Sequence, residues 1–144
     1  MWHVAIMKKE WGLIDKILSG EKTVESRWFK NKNSAWDKIK AGDCVYFKDT
    51  GGPVRVKAEV EKVLQFADLS AQKAKEILRQ YGEADLGAKE IMPQIRQYVQ
   101  GKNYCLLVFL KNPQEVEPFD IDKTGFGAMC AWLTVDDIKK LKKL

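Results

Sequence analysis

The chain has 144 residues, 45% of them hydrophobic and 31% charged, with 25 Lys+Arg against 20 Asp+Glu. That size and balance suit one domain over residues 1–144 with a core that needs no staples, and exclude a disordered polyelectrolyte. The net charge of +5 favours anionic partners through long-range attraction.

Residues 2–7 read as a strand with apolar side chains on both faces. Over 10–19, Trp11, Ile14, Ile17 and Leu18 recur at helical spacing, and Gly20 suits the left-handed position that ends a helix. Residues 23–28 form the next strand pattern, followed by a polar, basic loop over 29–34. Trp36 and Ile39 mark a short helical turn closing one end of the core. Past the Gly42-Asp43 turn, strands over 44–48 and 54–63 flank the turn cluster 49–53 and pair as a hairpin. In the second of these, Val54, Val56, Ala58 and Val60 alternate with Arg55, Lys57, Glu59 and Glu61, which leaves one wet face.

Ser70 caps a helix carrying Ala74, Ile77, Leu78 and Tyr81, expected to stop at Gly82. A weaker helical pattern spans 88–99, with Pro93 in its first turn. Together these make a helical insertion over about 69–101. Residues 104–110 are apolar without alternation, as in a strand covered on both sides. A loop over 112–118, a corner at 125–127 and a strand over 128–133 follow. Thr134 is then expected to cap a short basic helix to the last residue. Strands interrupted by helices, with few parallel crossovers, indicate an α+β domain built on a small mixed barrel flanked by helices.

Cys44, Cys105 and Cys130 are odd in number and widely spaced, so they suit free thiols better than a disulfide framework or a metal site. No metal and no cofactor is expected. Residues 1–7 are too short for a signal-peptide core, and no apolar run of about 18 residues exists to span a membrane. A soluble, cytoplasmic protein is the expectation. His3 is the only histidine, which leaves no His pair for a metal and favours a structural role.

The charged residues of the 20–28 stretch are the leading site candidates. Side chains alternate along a strand, so Thr23, Glu25 and Arg27 project together while Val24 and Ser26 face the other way. With Val24 in the core, the trio faces a surface groove with Lys22 at its lip. Arg27 is suited to grip a phosphate or a base edge through its planar fork, with Glu25 orienting Arg27 or Lys22. The plainer alternative is a surface ion pair worth little. Trp28, Lys30, Lys32, Trp36, Lys38 and Lys40 place aromatic faces among lysines, as single-stranded nucleic acid binding requires. Against that, Trp36 is better explained as core, and Trp28 fits either reading. Lys123-Thr124-Gly125-Phe126-Gly127 is either a second groove wall or a tight corner.

The run Gly20-Glu21-Lys22-Thr23-Val24-Glu25-Ser26-Arg27 fits Gly-x-Lys-x-x-Glu-x-Arg and resembles the signature of the ASCH domains, which are related to the PUA RNA-binding domains. The segment from Trp36 through Gly42-Asp43 to Phe47 resembles the family's second conserved element. The resemblance covers roughly residues 1–66 and, loosely, the final strands. It implies a PUA-like mixed β-pseudo-barrel that binds RNA or a nucleotide-like ligand through Lys22, Thr23, Glu25, Arg27 and Trp28.

Some ASCH proteins are amidohydrolases acting on N4-acetylcytidine, and some are ribonucleases, so a hydrolase using the same groove is the alternative. Its catalytic residues would be Lys22 and Glu25. The family's amidohydrolases use a Lys, a Thr and a Glu, and their Thr position holds Glu25 here. That departure argues against a Thr-based acyl-enzyme. A lysine of lowered pKa or Glu25 acting on water would remain, with the downstream acid expected at Glu59 or Glu61.

Overall fold

The computed structural model describes residues 1–33, 35–87, 93–127 and 130–143. Its strands are β1 (Trp2–Met7), β2 (Val24–Phe29), β3 (Cys44–Asp49), β4 (Val54–Phe66), β5 (Tyr104–Phe119) and β6 (Trp132–Val135). They form one curled sheet in the order β2-β5-β4-β3-β1-β6. The β1–β3 pair is parallel and the others antiparallel. Among the described residues three helices flank the sheet: α1 (Leu13–Ser19), α2 (Ala71–Leu86) and α3 (Pro93–Val99). The architecture is α+β, as expected from the sequence, with the mixed sheet curled into an open half-barrel flanked by helices rather than a closed barrel.

The inner core is filled by one face of each strand. Val45, Phe47, Val56, Ala58, Val60, Leu106 and Val108 meet Ile14 and Ile17 of α1. A second apolar cluster lies outside the sheet, where Val24, Trp28, Cys105 and Leu107 meet Ala74, Ile77 and Leu78 of α2 and Ile95 of α3. The central part of β5 is therefore covered on both sides, which explains its lack of alternation. The alternating half of β4 buries its valines and leaves Glu59 and Glu61 exposed.

Several boundaries differ from the sequence expectation. The first helix begins only at Leu13, because Gly12 adopts a left-handed φ of 60° after a 3-10 turn over Lys9–Trp11. Ser70 caps α2 as expected, accepting a hydrogen bond from the Lys73 N–H, but Gly82 does not end it. Gly82 is buried in the helix, whose apolar face continues to Leu86, and Gly87 supplies the left-handed cap. α3 starts at Pro93, and residues 88–92 of the expected helix lie outside those described.

The segment over 112–118 is strand rather than loop. β5 stays paired with β4 across register shifts, and Asn112, at φ 52°, absorbs part of the irregularity. β4 likewise runs on to Phe66. Of the strand expected over 128–133, residues 128 and 129 lie outside those described, and β6 begins at Trp132. Thr134 lies within β6 and caps nothing; Asp137 caps a single 3-10 turn over Ile138–Lys140 instead. The cysteines are free: Cys105 is buried, whereas Cys44 and Cys130 are only half-buried.

Candidate functional site

β2 is an edge strand, and its exposed backbone groups must find partners other than a neighbouring strand. Its face is set by pairing with β5, where Glu25 lies opposite Val108 and Arg27 opposite Leu106. Glu25 and Arg27 therefore share the inner face of the barrel, at its open seam. Val24, Ser26 and Trp28 face the helices. Trp28 is only 3% exposed and donates its indole N–H to Ser26 Oγ at 3.1 Å.

Lys22 lies at the centre of the site, not at its lip. After Gly20 (φ 86°) the chain folds back, the Lys22 N–H bonding the Lys16 carbonyl at 3.0 Å. The side chain is thereby sent inward, and the residue is 1% exposed. Lys22 Nζ lies 2.7 Å from Asp85 Oδ1 and 3.0 Å from Glu25 Oε1, and donates to the carbonyls of Val24 (2.6 Å) and Asp85. Asp85 comes from the last turn of α2. Its Oδ1 also accepts from the Ser26 N–H (3.1 Å) and its Oδ2 from Ser26 Oγ (2.6 Å). The ion pair thus covers the free edge of β2.

On the other side, Glu25 Oε2 accepts from Arg27 Nε and Nη2, both at 2.9 Å. The guanidinium then crosses the seam of the sheet. It donates to the carbonyls of Ile6 (3.2 Å) and Ala131 (3.3 Å) and sits 5.3 Å from the Trp132 ring centroid. The result is a buried row of alternating charge, Asp85, Lys22, Glu25, Arg27, joining α2, β2 and the strand pair β1–β6.

Burial opposes both central charges, but their neighbours outweigh it. Against that burial, Asp85 and Glu25 hold the Lys22 ammonium above the usual lysine range. Lys22 and Arg27 hold the Glu25 carboxyl below its usual range, again against burial. Both stay charged at neutral pH. A lysine of lowered pKa is thus the opposite of what the site contains, and a carboxylate bound by two cations is a poor base. Neither Glu59 nor Glu61 lines the site; the downstream acid that joins Glu25 on Lys22 is Asp85, 63 residues away in sequence.

A cleft of about 410 Å³ opens over this row. Glu25, Ser26, Arg27 and Asp85 form its polar end, with Trp28 showing an edge. Trp11 and Tyr98 form an aromatic wall, their rings 6.2 Å apart at 81°. Lys8 Nζ lies over both rings, at 4.7 Å and 5.5 Å from the centroids. Thr50 and Lys123 complete the rim.

Of the expected site residues, Lys22, Glu25 and Arg27 converge in one ionic row. Thr23 does not join them: it is exposed, and its backbone pairs with Ala84 and Leu110 instead. Trp28 is packed against the helices rather than presented as a platform. Lys30, Lys32, Lys38 and Lys40 lie outside the cleft, and Trp36 packs half-buried on the core. Sequence reasoning missed Ser26, Asp85, Trp11 and Tyr98. His3 is structural: fully buried, its Nδ1 accepts from the Trp132 indole at 3.2 Å while its Nε2 lies 2.8 Å from Asp43 Oδ2. Among the described residues no cluster suits a metal ion, and no helix is long and apolar enough to cross a membrane.

No protein-family model matches the sequence, and no curated protein sequence matches it significantly. Solved structures do. The ASCH protein of Zymomonas mobilis superposes with a TM-score of 0.65 at 19% identity, over 93% of this chain and 87% of that one. Two single-residue mutant forms of it give 0.67 at 19% identity, with the same coverage, and 0.65 at 18%, over 93% and 89%. The chain carries the ASCH-domain fold, as its Gly-x-Lys-x-x-Glu-x-Arg segment led one to expect.

Proposed function

We propose that the protein is an ASCH-domain RNA-binding protein whose cleft at Glu25 and Arg27 takes one nucleotide of a single-stranded RNA. The observation carrying this reading is the pairing of an aromatic wall, Trp11 and Tyr98, with a fixed polar end in one nucleotide-sized cleft. A base stacks on the wall, as single-stranded nucleic acid sites require. The polar end offers Glu25 and Asp85 oxygens to amino groups and Arg27 to carbonyl oxygens, while Lys8 and Lys123 sit where a phosphate would lie. Trp11 and Tyr98 take the stacking role that the sequence suggested for Trp28. Lys22 holds the acids in place and does not itself meet the ligand.

The test is titration of labelled single-stranded RNA at two salt concentrations, with Tyr98→Ala and Lys8→Ala beside the wild type. Binding that weakens with salt and falls about tenfold in Tyr98→Ala supports the reading. Binding indifferent to both substitutions removes it.

A second reading, hydrolysis, is favoured by one contact. Ser26 Oγ lies in the cleft, 2.6 Å from Asp85 Oδ2. A hydroxyl is thus present one residue beyond Glu25, with a carboxylate to take its proton. Incubation with N4-acetylcytidine and with RNA, using Ser26→Ala as control, tests it. Turnover lost in that variant would place the enzyme reading first.

A further inference from the structure

Between α2 and α3 runs a second, larger groove, about 1340 Å³, which the motif does not touch. Its charge is one-sided. Lys75 and Arg79, one helical turn apart on α2, face Arg96 on α3 and Lys102 just beyond it, against the single acid Glu83. Among the described residues, Lys75, Arg79 and Arg96 have no ion-pair partner, so their charge is not neutralised locally. The groove also has an apolar floor that includes Leu78 and Val99.

The ionic row contrasts with it. There two cations and two acids satisfy one another, so the row supplies no net attraction for a polyanion. On the other side of α3, Lys75, Arg79 and Arg96 carry positive charge that no ion pair among the described residues offsets. That short helix is the wall common to both: Tyr98 lines the cleft and Arg96 the groove, and Lys102 lies 4.8 Å from the Tyr98 ring centroid.

We propose that the α2–α3 groove binds the sugar–phosphate backbone of the single-stranded RNA whose nucleotide enters the cleft. This rests on the cleft reading for its direction, but not for its chemistry. Phosphates pair with the guanidinium forks of Arg79 and Arg96, and riboses lie on the apolar floor. The protein then has a footprint longer than one nucleotide, and most of its affinity comes from outside the motif.

The experiment uses labelled dodecauridylate, a 12-base-pair RNA duplex and uridine 5′-monophosphate, with wild type, Arg79→Glu/Arg96→Glu and Tyr98→Ala. The two arginines are exposed, so the double variant should fold. Dodecauridylate binding should fall more than tenfold in it, with the log–log salt slope shallower by about 1.4 for two lost contacts, while uridine monophosphate binding stays unchanged. Dodecauridylate affinity within twofold of wild type overturns the proposal, as does equal loss for both ligands or equal affinity for the duplex. If the double variant loses dodecauridylate while the monophosphate binds no protein, the groove stands and the cleft reading fails. If Tyr98→Ala weakens the monophosphate and the double variant changes nothing, the reverse holds.

Discussion

Lys22 and Asp85, 63 residues apart in sequence, meet at 2.7 Å and cover the free edge of β2. Both side chains are almost fully buried, so the pair lies in a medium where an unmatched charge is expensive. Lys22→Met leaves Asp85 without a cation and Glu25 with Arg27 alone. A loss of about 3–5 kcal/mol is expected, with part recovered in Lys22→Met/Asp85→Asn. Urea denaturation measures it, and a cost below about 1 kcal/mol would reduce the pair to the weak surface type.

The stability of the protein should be bounded by pH on both sides of neutral. Glu25 has a folded pKa below its ordinary 4.5, so its contribution is complete above that value and lost as pH falls through the folded pKa. Lys22 is raised above 10.5, so its contribution is complete below 10.5 and lost as pH rises through the folded pKa. His3 adds an earlier decline. Burial, opposed by Asp43, lowers its pKa from 6.5, so stability begins to fall below about that pH as the unfolded chain takes up a proton. Denaturation midpoints at pH 5.0 and 7.5 should differ in the wild type and draw together in His3→Gln. An unchanged difference would remove His3 from this role.

Arg27 spans the seam that keeps the sheet from closing. A lysine has one donor group where the guanidinium reaches Glu25, Ile6 and Ala131 at once. Arg27→Lys should therefore speed amide exchange along β2 and at the β1–β6 end while leaving β3 and β4 unchanged. It should also weaken RNA binding by about tenfold, since one fixed donor pair is lost. Exchange that rises uniformly over the sheet would mean a global loss of stability instead.

What was legible in the sequence was local. Lys22, Glu25 and Arg27 lie within six positions, so a strand pattern and a helix-ending glycine were enough to bring them together. Asp85 was not legible, because its place depends on where α2 stops. Gly82 offered a stop, but Leu86 extends the stripe through Leu78 by eight residues, and Gly87 is the better cap. Prolines at 113 and 118 hid the second half of β5, since they remove donors that an outer, irregular stretch can do without. In the sequence, Trp11 falls on the helical stripe over 10–19 and Tyr98 within the weaker helical pattern over 88–99. Only their packing across 86 intervening positions reveals a shared wall, and nothing in either segment announces it. The reading of Lys22 as an exposed lip failed for a related reason: a lysine is assumed wet until its acids are found.

Ser26→Ala separates the two functional readings. Ser26 Oγ donates to Asp85 at 2.6 Å and accepts from Trp28, so its loss removes one donor from a carboxylate that keeps Lys22 and the Ser26 backbone N–H. Stability should fall by only about 1 kcal/mol. A binding site built on Trp11, Tyr98 and Arg27 does not need the hydroxyl, and RNA affinity should stay within about threefold of wild type. A hydrolase that uses it as nucleophile would keep its affinity and lose at least about a thousandfold in kcat. Affinity for RNA and turnover of N4-acetylcytidine are therefore measured on the same two proteins. Wild-type turnover that vanishes in Ser26→Ala makes the cleft catalytic, while absent turnover in both, with binding intact, leaves it a recognition site.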